Sequence, residues 1–70
     1  MNLDHIREEI KSLQNKELSF IYKGTRNQKE TFTGTIIEVY PAIFIIKLLD
    51  GSIKSFSYND YIIKNLKVIQ

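Results

Sequence analysis

The sequence predicts a mainly β fold, a small five-stranded barrel preceded by one N-terminal amphipathic α-helix. An apolar stripe of helical period occupies the first residues and does not return. From Glu17 onward apolar and polar residues alternate with period two, and Pro41, Asp50-Gly51 and Asn59-Asp60 punctuate the alternation. The chain of 70 residues is expected to be one domain over 1–70, with the helix over about 2–14 and the barrel over about 17–69. A chain of this size buries only about 60% of its unfolded surface, so its core must be dense or completed by a partner.

Leu3, Ile6, Ile10 and Leu13 are spaced three, four and three apart, the stripe of a helix with one buried face. Asn2 is the expected N-cap, Asp4 suits the first turn, and the helix should end near Asn15-Lys16. In "ELSFIYK", Leu18, Phe20 and Tyr22 alternate with polar neighbours, which predicts a half-buried strand. Residues 24–33, "GTRNQKETFT", are polar with a single aromatic and read as a loop or an irregular hairpin arm.

The stretch "GTIIEVYPAIFIIKL" sets Pro41 inside the most apolar run of the chain. Proline has no N–H for a ladder and its φ suits the second position of a turn, so the reading is two antiparallel core strands joined at a tight corner. One long strand bent by a bulge at Pro41 is the rival. Asp50-Gly51 predicts a hairpin of type I′, which needs positive φ at both central residues. "YIIKNLKVI" closes the chain as a last strand after a single helical turn, with Leu66 and Val68 facing inward. Periodicity leaves SH3-like, OB-like and Sm-like strand orders open; an SH3-like or Sm-like barrel with the helix across one end or face is the expectation.

Hydrophobic residues make up 43% and charged residues 26%, which excludes an intrinsically disordered chain. Cysteine is absent, so neither disulfides nor thiolate metal sites stabilise the fold. The N-terminal segment has no apolar signal region and the longest apolar run is far short of a membrane span, which predicts a cytoplasmic protein without a membrane partner. His5 is the one histidine, the serines lack a nucleophile motif, Glu8 and Glu9 diverge on a helix, and the glycines at 24, 34 and 51 are too far apart to cradle phosphate. No enzyme activity, metal or cofactor is expected.

Phe20, Phe32, Phe44 and Phe56 recur every twelve residues, which one core ring per strand explains. The tyrosines need water or a partner for their hydroxyls. Lys23, Arg26 and Lys29 form the most basic segment, and with Tyr40 and Tyr58 they are the candidate contacts to nucleic acid or another partner. A net charge of +2 is small for nucleic-acid binding. If those three cations act together, about three phosphates are neutralised and the salt slope of duplex binding is roughly −3. Ile43, Ile45 and the strand edges offer a surface for a protein partner, and open edges predict a homodimer.

"GTIIEVYPAIFIIKL" is similar to the pattern Gly-x-Leu-x-Glu-x-Tyr-Pro-x-x-Phe-x-x-x-Leu of the Veg family of small bacterial proteins, and "SFSYNDYI" resembles that family's second, Ser-Tyr block. The matching positions are Gly34, Glu38, Tyr40, Pro41, Phe44, Leu48, Ser57, Tyr58 and Asp60, and the resemblance covers about residues 3–69. It implies a small barrel with a leading helix and a role in biofilm formation and regulation of transcription. The loop before the first block has fewer consecutive basic residues than is usual in the family. The reading is therefore a regulatory protein acting through protein–protein interaction, its partner a transcription regulator, with weak, non-specific nucleic-acid binding as the alternative.

Overall fold

The computed structural model describes residues 3–24 and 28–69. Their elements in order are α1 (Leu3–Ser12), β1 (Glu17–Lys23), β2 (Lys29–Val39), β3 (Ile43–Leu48), β4 (Ile53–Ser57), α2 (Tyr58–Ile62) and β5 (Leu66–Val68). All strand pairings are antiparallel, in one five-stranded sheet ordered β4-β3-β2-β1-β5.

Helix α1 stops two residues before the expected end. The Leu13 and Gln14 N–H groups donate to the Ile10 and Lys11 carbonyls, tightening the last turn, and Asn15 then takes a left-handed φ of 68° that breaks it. Ile10 is buried in the core, with Ile6 and Leu13 packed against it and Leu3 exposed at the helix start. The proposed cap, Asn2, lies outside the described residues.

Of the two readings of the polar stretch before Gly34, the hairpin arm is the one found from Lys29 onward, paired in regular register with β1 as far as Lys23 with Lys29. Only Phe32 is inward and apolar there, while Thr31 and Thr33 face outward, so the period-two signal is carried by threonine, a strand former that reads as loop in a polar context. Pro41 occupies the corner expected of it. Val39 pairs with Phe44, the Tyr40 N–H donates to the Ile43 carbonyl at 2.8 Å, and residues 40–42 form the connection. A register irregularity does occur, but between Ile36 and Glu38 rather than at the proline.

The Asp50-Gly51 hairpin forms without a type I′ turn. The Gly51 N–H donates to the Leu48 carbonyl at 2.9 Å, and of the loop's residues only Gly51 has positive φ, 89°. Asp50 Oδ1 instead accepts from the Ser52 N–H at 2.9 Å and from its hydroxyl at 2.7 Å, which fixes the turn by side-chain bonding.

The closed SH3-like or Sm-like barrel expected from the sequence is not seen, because β4 and β5 are the two edges of the sheet and share no ladder. Between them runs α2, and β5 is only three residues long, so the corner that a closing ladder would use is filled by helix. The sheet nevertheless curls. Flat, it would hold β1 and β4 roughly 14 Å apart, about three strand spacings, yet the Tyr22 and Phe56 ring centroids are 5.3 Å apart. The curl brings Ile10, Leu18, Phe20, Ile36, Phe44, Ile46, Phe56, Tyr58 and Leu66, from every element, into one core. Phe20 stacks on Phe32 and Phe32 on Phe56, so the twelve-residue recurrence is a column of core rings.

Gly34 is buried on β2 opposite Leu48 of β3. A Cβ there would lie 2.8 Å from both Ile46 Cγ2 and the Lys47 carbonyl oxygen. The backbone oxygen cannot yield as a flexible side chain would, so Gly34→Ala should cost about 1–3 kcal/mol, the range for overpacking. Urea unfolding checks this, and an unchanged midpoint would refute the close-approach role.

Candidate functional site

The residues of the two sequence blocks converge on one corner of the molecule. Ser57 ends β4 and caps α2 reciprocally with Asp60: the Ser57 hydroxyl accepts from the Asp60 N–H at 3.2 Å, and the Asp60 carboxylate accepts from the Ser57 N–H at 3.4 Å. This box aims Tyr58 into the core, where it is 2% exposed and its ring lies 5.5 Å from that of Phe44. From inside, the Tyr58 hydroxyl donates to the Tyr40 carbonyl at 2.5 Å, while the Tyr58 N–H donates to the Ala42 carbonyl at 3.4 Å. The proline corner is thus held from the interior by the tyrosine that succeeds β4.

Helix α1 holds the same corner from outside. Arg7 Nη2 donates to the Pro41 carbonyl at 3.3 Å, and its Nη1 pairs with Asp4 Oδ1 at 3.0 Å. Burial pushes the Tyr58 phenol above its ordinary value, and the nearby Arg7 guanidinium partly offsets this. A second tie joins the helices directly, the Tyr61 hydroxyl donating to Glu9 Oε2.

These placements correct one candidate and locate the others. Tyr58 is a core residue and not a surface contact, since a buried ring already bonded to a carbonyl has neither face nor hydroxyl to offer. Tyr40 gives its carbonyl to the corner but leaves its side chain 47% exposed. Arg26 lies outside the described residues. Lys23 and Lys29 are exposed cross-strand partners, and Lys64 and Lys67 join them around one groove of about 280 Å³. Sequence distance sets those last two apart; the signal for them is Leu66 and Val68 facing inward, which turns Lys67 outward onto the strand beside it. A larger concavity of about 510 Å³ lies between α1, α2 and β5, lined by Ile6, Tyr61 and Leu66 among others.

Gly34, Phe44 and Leu48 serve the β2–β3 packing, and Glu38 is exposed beside the register irregularity. Among the described residues, no group of three or more His, Cys, Asp or Glu is placed to hold a metal ion. The family model described as "Biofilm formation stimulator VEG" matches residues 1–69. The chain belongs to the VEG family. No curated protein matches it. In this VEG chain the paired Tyr-Pro and Ser-Tyr blocks act on each other: Tyr58 and Ser57 from one block hold the corner built by Tyr40 and Pro41 of the other.

The tie between the helices has a pH signature. Burial, then the Glu9 hydrogen bond and charge, push Tyr61 from 10.0 up to about 12. The folded state therefore holds this proton more tightly than the unfolded chain, so the contribution is complete below pH 10 and is lost as pH rises towards about 12. Tyr58 adds a contribution of the same sign. Chemical denaturation across this range should show a shallower alkaline loss for Tyr61→Phe than for wild type; equal slopes would refute the assignment.

Proposed function

We propose that this VEG-family chain is a non-enzymatic regulatory protein of biofilm formation that works in the cytoplasm by binding a protein partner, of the transcription-regulator class, along the open edge of β4. The observation that carries the reading is the direction of that edge's backbone groups. Among the described residues β4 pairs with β3 alone. The Leu48 N–H donates to the Ser52 carbonyl at 2.8 Å, so the alternation of an antiparallel ladder turns the N–H and C=O of Ile53 and Ser55 away from β3, towards the edge. A partner strand would find both ready to pair.

The surroundings suit such a partner. Ile43, Ile45 and Ile53 share the outer face of β3 and β4, and Leu49 at the hairpin tip is 69% exposed. A second copy adding at the same edge would give a homodimer. No helix among the described residues is long and apolar enough to cross a membrane. The VEG sheet is read as an open relative of the SH3-like and Sm-like barrels, its unclosed edge kept for strand addition.

Ser55→Pro tests the edge selectively, because it removes an N–H that points outward and leaves the bonds to β3 intact. The variant should fold with near wild-type stability, lose the protein that wild type captures from nuclease-treated lysate, and fail to restore biofilm formation to a strain lacking the gene. Capture that survives Ser55→Pro, or that disappears on nuclease treatment of the wild type, would refute the reading.

A further inference from the structure

Four lysines, Lys23, Lys29, Lys64 and Lys67, line the groove between β1, β2 and the connection from α2 to β5, together with Ile21, Ile63 and Asn65. All four are exposed. Among the described residues none of them is paired with a carboxylate; the ion pairs found are Arg7 with Asp4 and Lys54 with Glu30. Glu9 lines the adjoining concavity with Lys64 and Lys67 but bonds to Tyr61, and three other acids are directed elsewhere. Glu30 is next to Lys29 in the chain but points to the opposite face, across from Tyr22 and 3.9 Å from Lys54. Asp60 is engaged in capping α2, and Glu38 sits at the far end of β2.

Three of the four occupy positions that a structural role alone would not choose. The Lys23 N–H donates to the Asn65 carbonyl at 2.6 Å, hence away from β2, which makes Lys23 and Lys29 a non-hydrogen-bonded cross-strand pair. Side chains approach closest at such pairs, and like charges there repel. Lys64 occupies the left-handed position after α2, with φ of 66°. The Asn65 N–H donates to the Asp60 carbonyl and the Lys64 N–H to the Tyr61 carbonyl, the bond pattern of a helix end that glycine or asparagine ordinarily closes. Lysine in both settings is a local conflict with the fold, and conflicts of this kind gather where a ligand supplies the compensation.

We propose that this groove binds the phosphate backbone of double-stranded nucleic acid without reading its sequence. Lysine supplies point charges, not the planar fork with which arginine reads guanine. Among the described residues no aromatic lines the groove to stack unpaired bases: Phe20, Phe32, Phe44 and Phe56 are linked ring to ring in the core, and the exposed Tyr40 lies beyond the far end of β2. Charge without stacking favours the duplex, whose charge density is higher, over a single strand. The outer face carries hydroxyls onward from the lysines, with Thr31 opposite Ile21 and the Thr33 and Ser19 hydroxyls 3.5 Å apart, so a linear chain of phosphates meets further donors along β1 and β2. The site stands apart from the β4 edge, at the other end of the strand order.

The test uses the full chain and a short fluorescein-labelled DNA duplex, with affinity measured by anisotropy from about 50 to 200 mM salt. Four lysines predict a slope of log affinity against log salt of about −3.5, and each single Lys→Gln should reduce its magnitude by about 1. The quadruple Lys→Gln variant should lose most of the affinity. Lys64→Gly separates fold from ligand: it should raise the thermal midpoint, by relieving the left-handed lysine, while weakening duplex binding as much as Lys64→Gln does. Ser55→Pro should leave the slope unchanged. Unaltered affinity in the quadruple variant, tighter binding of the matching single strand, or displacement of the duplex by vesicles rich in phosphatidylglycerol would each overturn the proposal.

Discussion

The Tyr58 hydroxyl, reaching out from the core to the Tyr40 carbonyl, is the contact on which the arrangement of the other elements depends. The corner at Pro41 has one closing backbone bond, from the Tyr40 N–H to the Ile43 carbonyl, and proline contributes no N–H for another. It is held in addition by a residue that enters from the end of β4. With the longer bond from the Tyr58 N–H to the Ala42 carbonyl, it joins the β2–β3 corner to the start of α2, and Arg7 adds α1 through the Pro41 carbonyl. A small domain has only roughly 5–15 kcal/mol of net stability, and leaving one buried polar group unpaired costs about 1–3 kcal/mol. The corner is therefore a large share of what keeps this chain folded in one shape.

The two blocks that mark the family are then architectural. Gly34, Phe44, Ser57, Tyr58 and Asp60 pack inside or bond to backbone, while Ile43, Ile45 and Ser55 of the same blocks lie on the outer face and edge proposed for a partner, and the proposed lysine groove lies outside both blocks. Tyr58 cannot both close the corner and meet a ligand, and the Ser57–Asp60 box is occupied in starting α2. The same α2 that fills the gap between β4 and β5 leaves the β4 edge unpaired and carries Lys64 to the groove at its end. One short helix thereby separates the two surfaces.

Much of this is legible in the residues. The stripe from Leu3 to Leu13 marks the helix, Pro41 the corner, Gly51 the hairpin and Leu66 the inward face of the last strand, because each depends on local geometry that a side chain dictates. The hidden features depend on distance in the fold. The first half of β2 is masked by polar residues whose strand pairing only the partner strand reveals. Closure of the barrel turns on whether β4 and β5 meet, and no local pattern encodes that. The lysine groove is half visible: Lys23 and Lys29 are near in sequence, whereas Lys64 and Lys67 arrive through the β1–β5 pairing of Ile21 with Lys67. Glu30 misleads for the same reason, adjacent in sequence and on the opposite face in space.

Tyr58→Phe, which removes one oxygen and keeps the ring beside Phe44, is the most direct measurement of whether the family blocks build the fold or bind a ligand. Urea unfolding should show a loss of about 1–3 kcal/mol, as expected for an orphaned partner, while duplex affinity and partner capture at a matched folded fraction stay at wild-type levels. Stability within about 0.5 kcal/mol of wild type, the range of an inconsequential substitution, together with lost binding, would show instead that the hydroxyl serves a ligand.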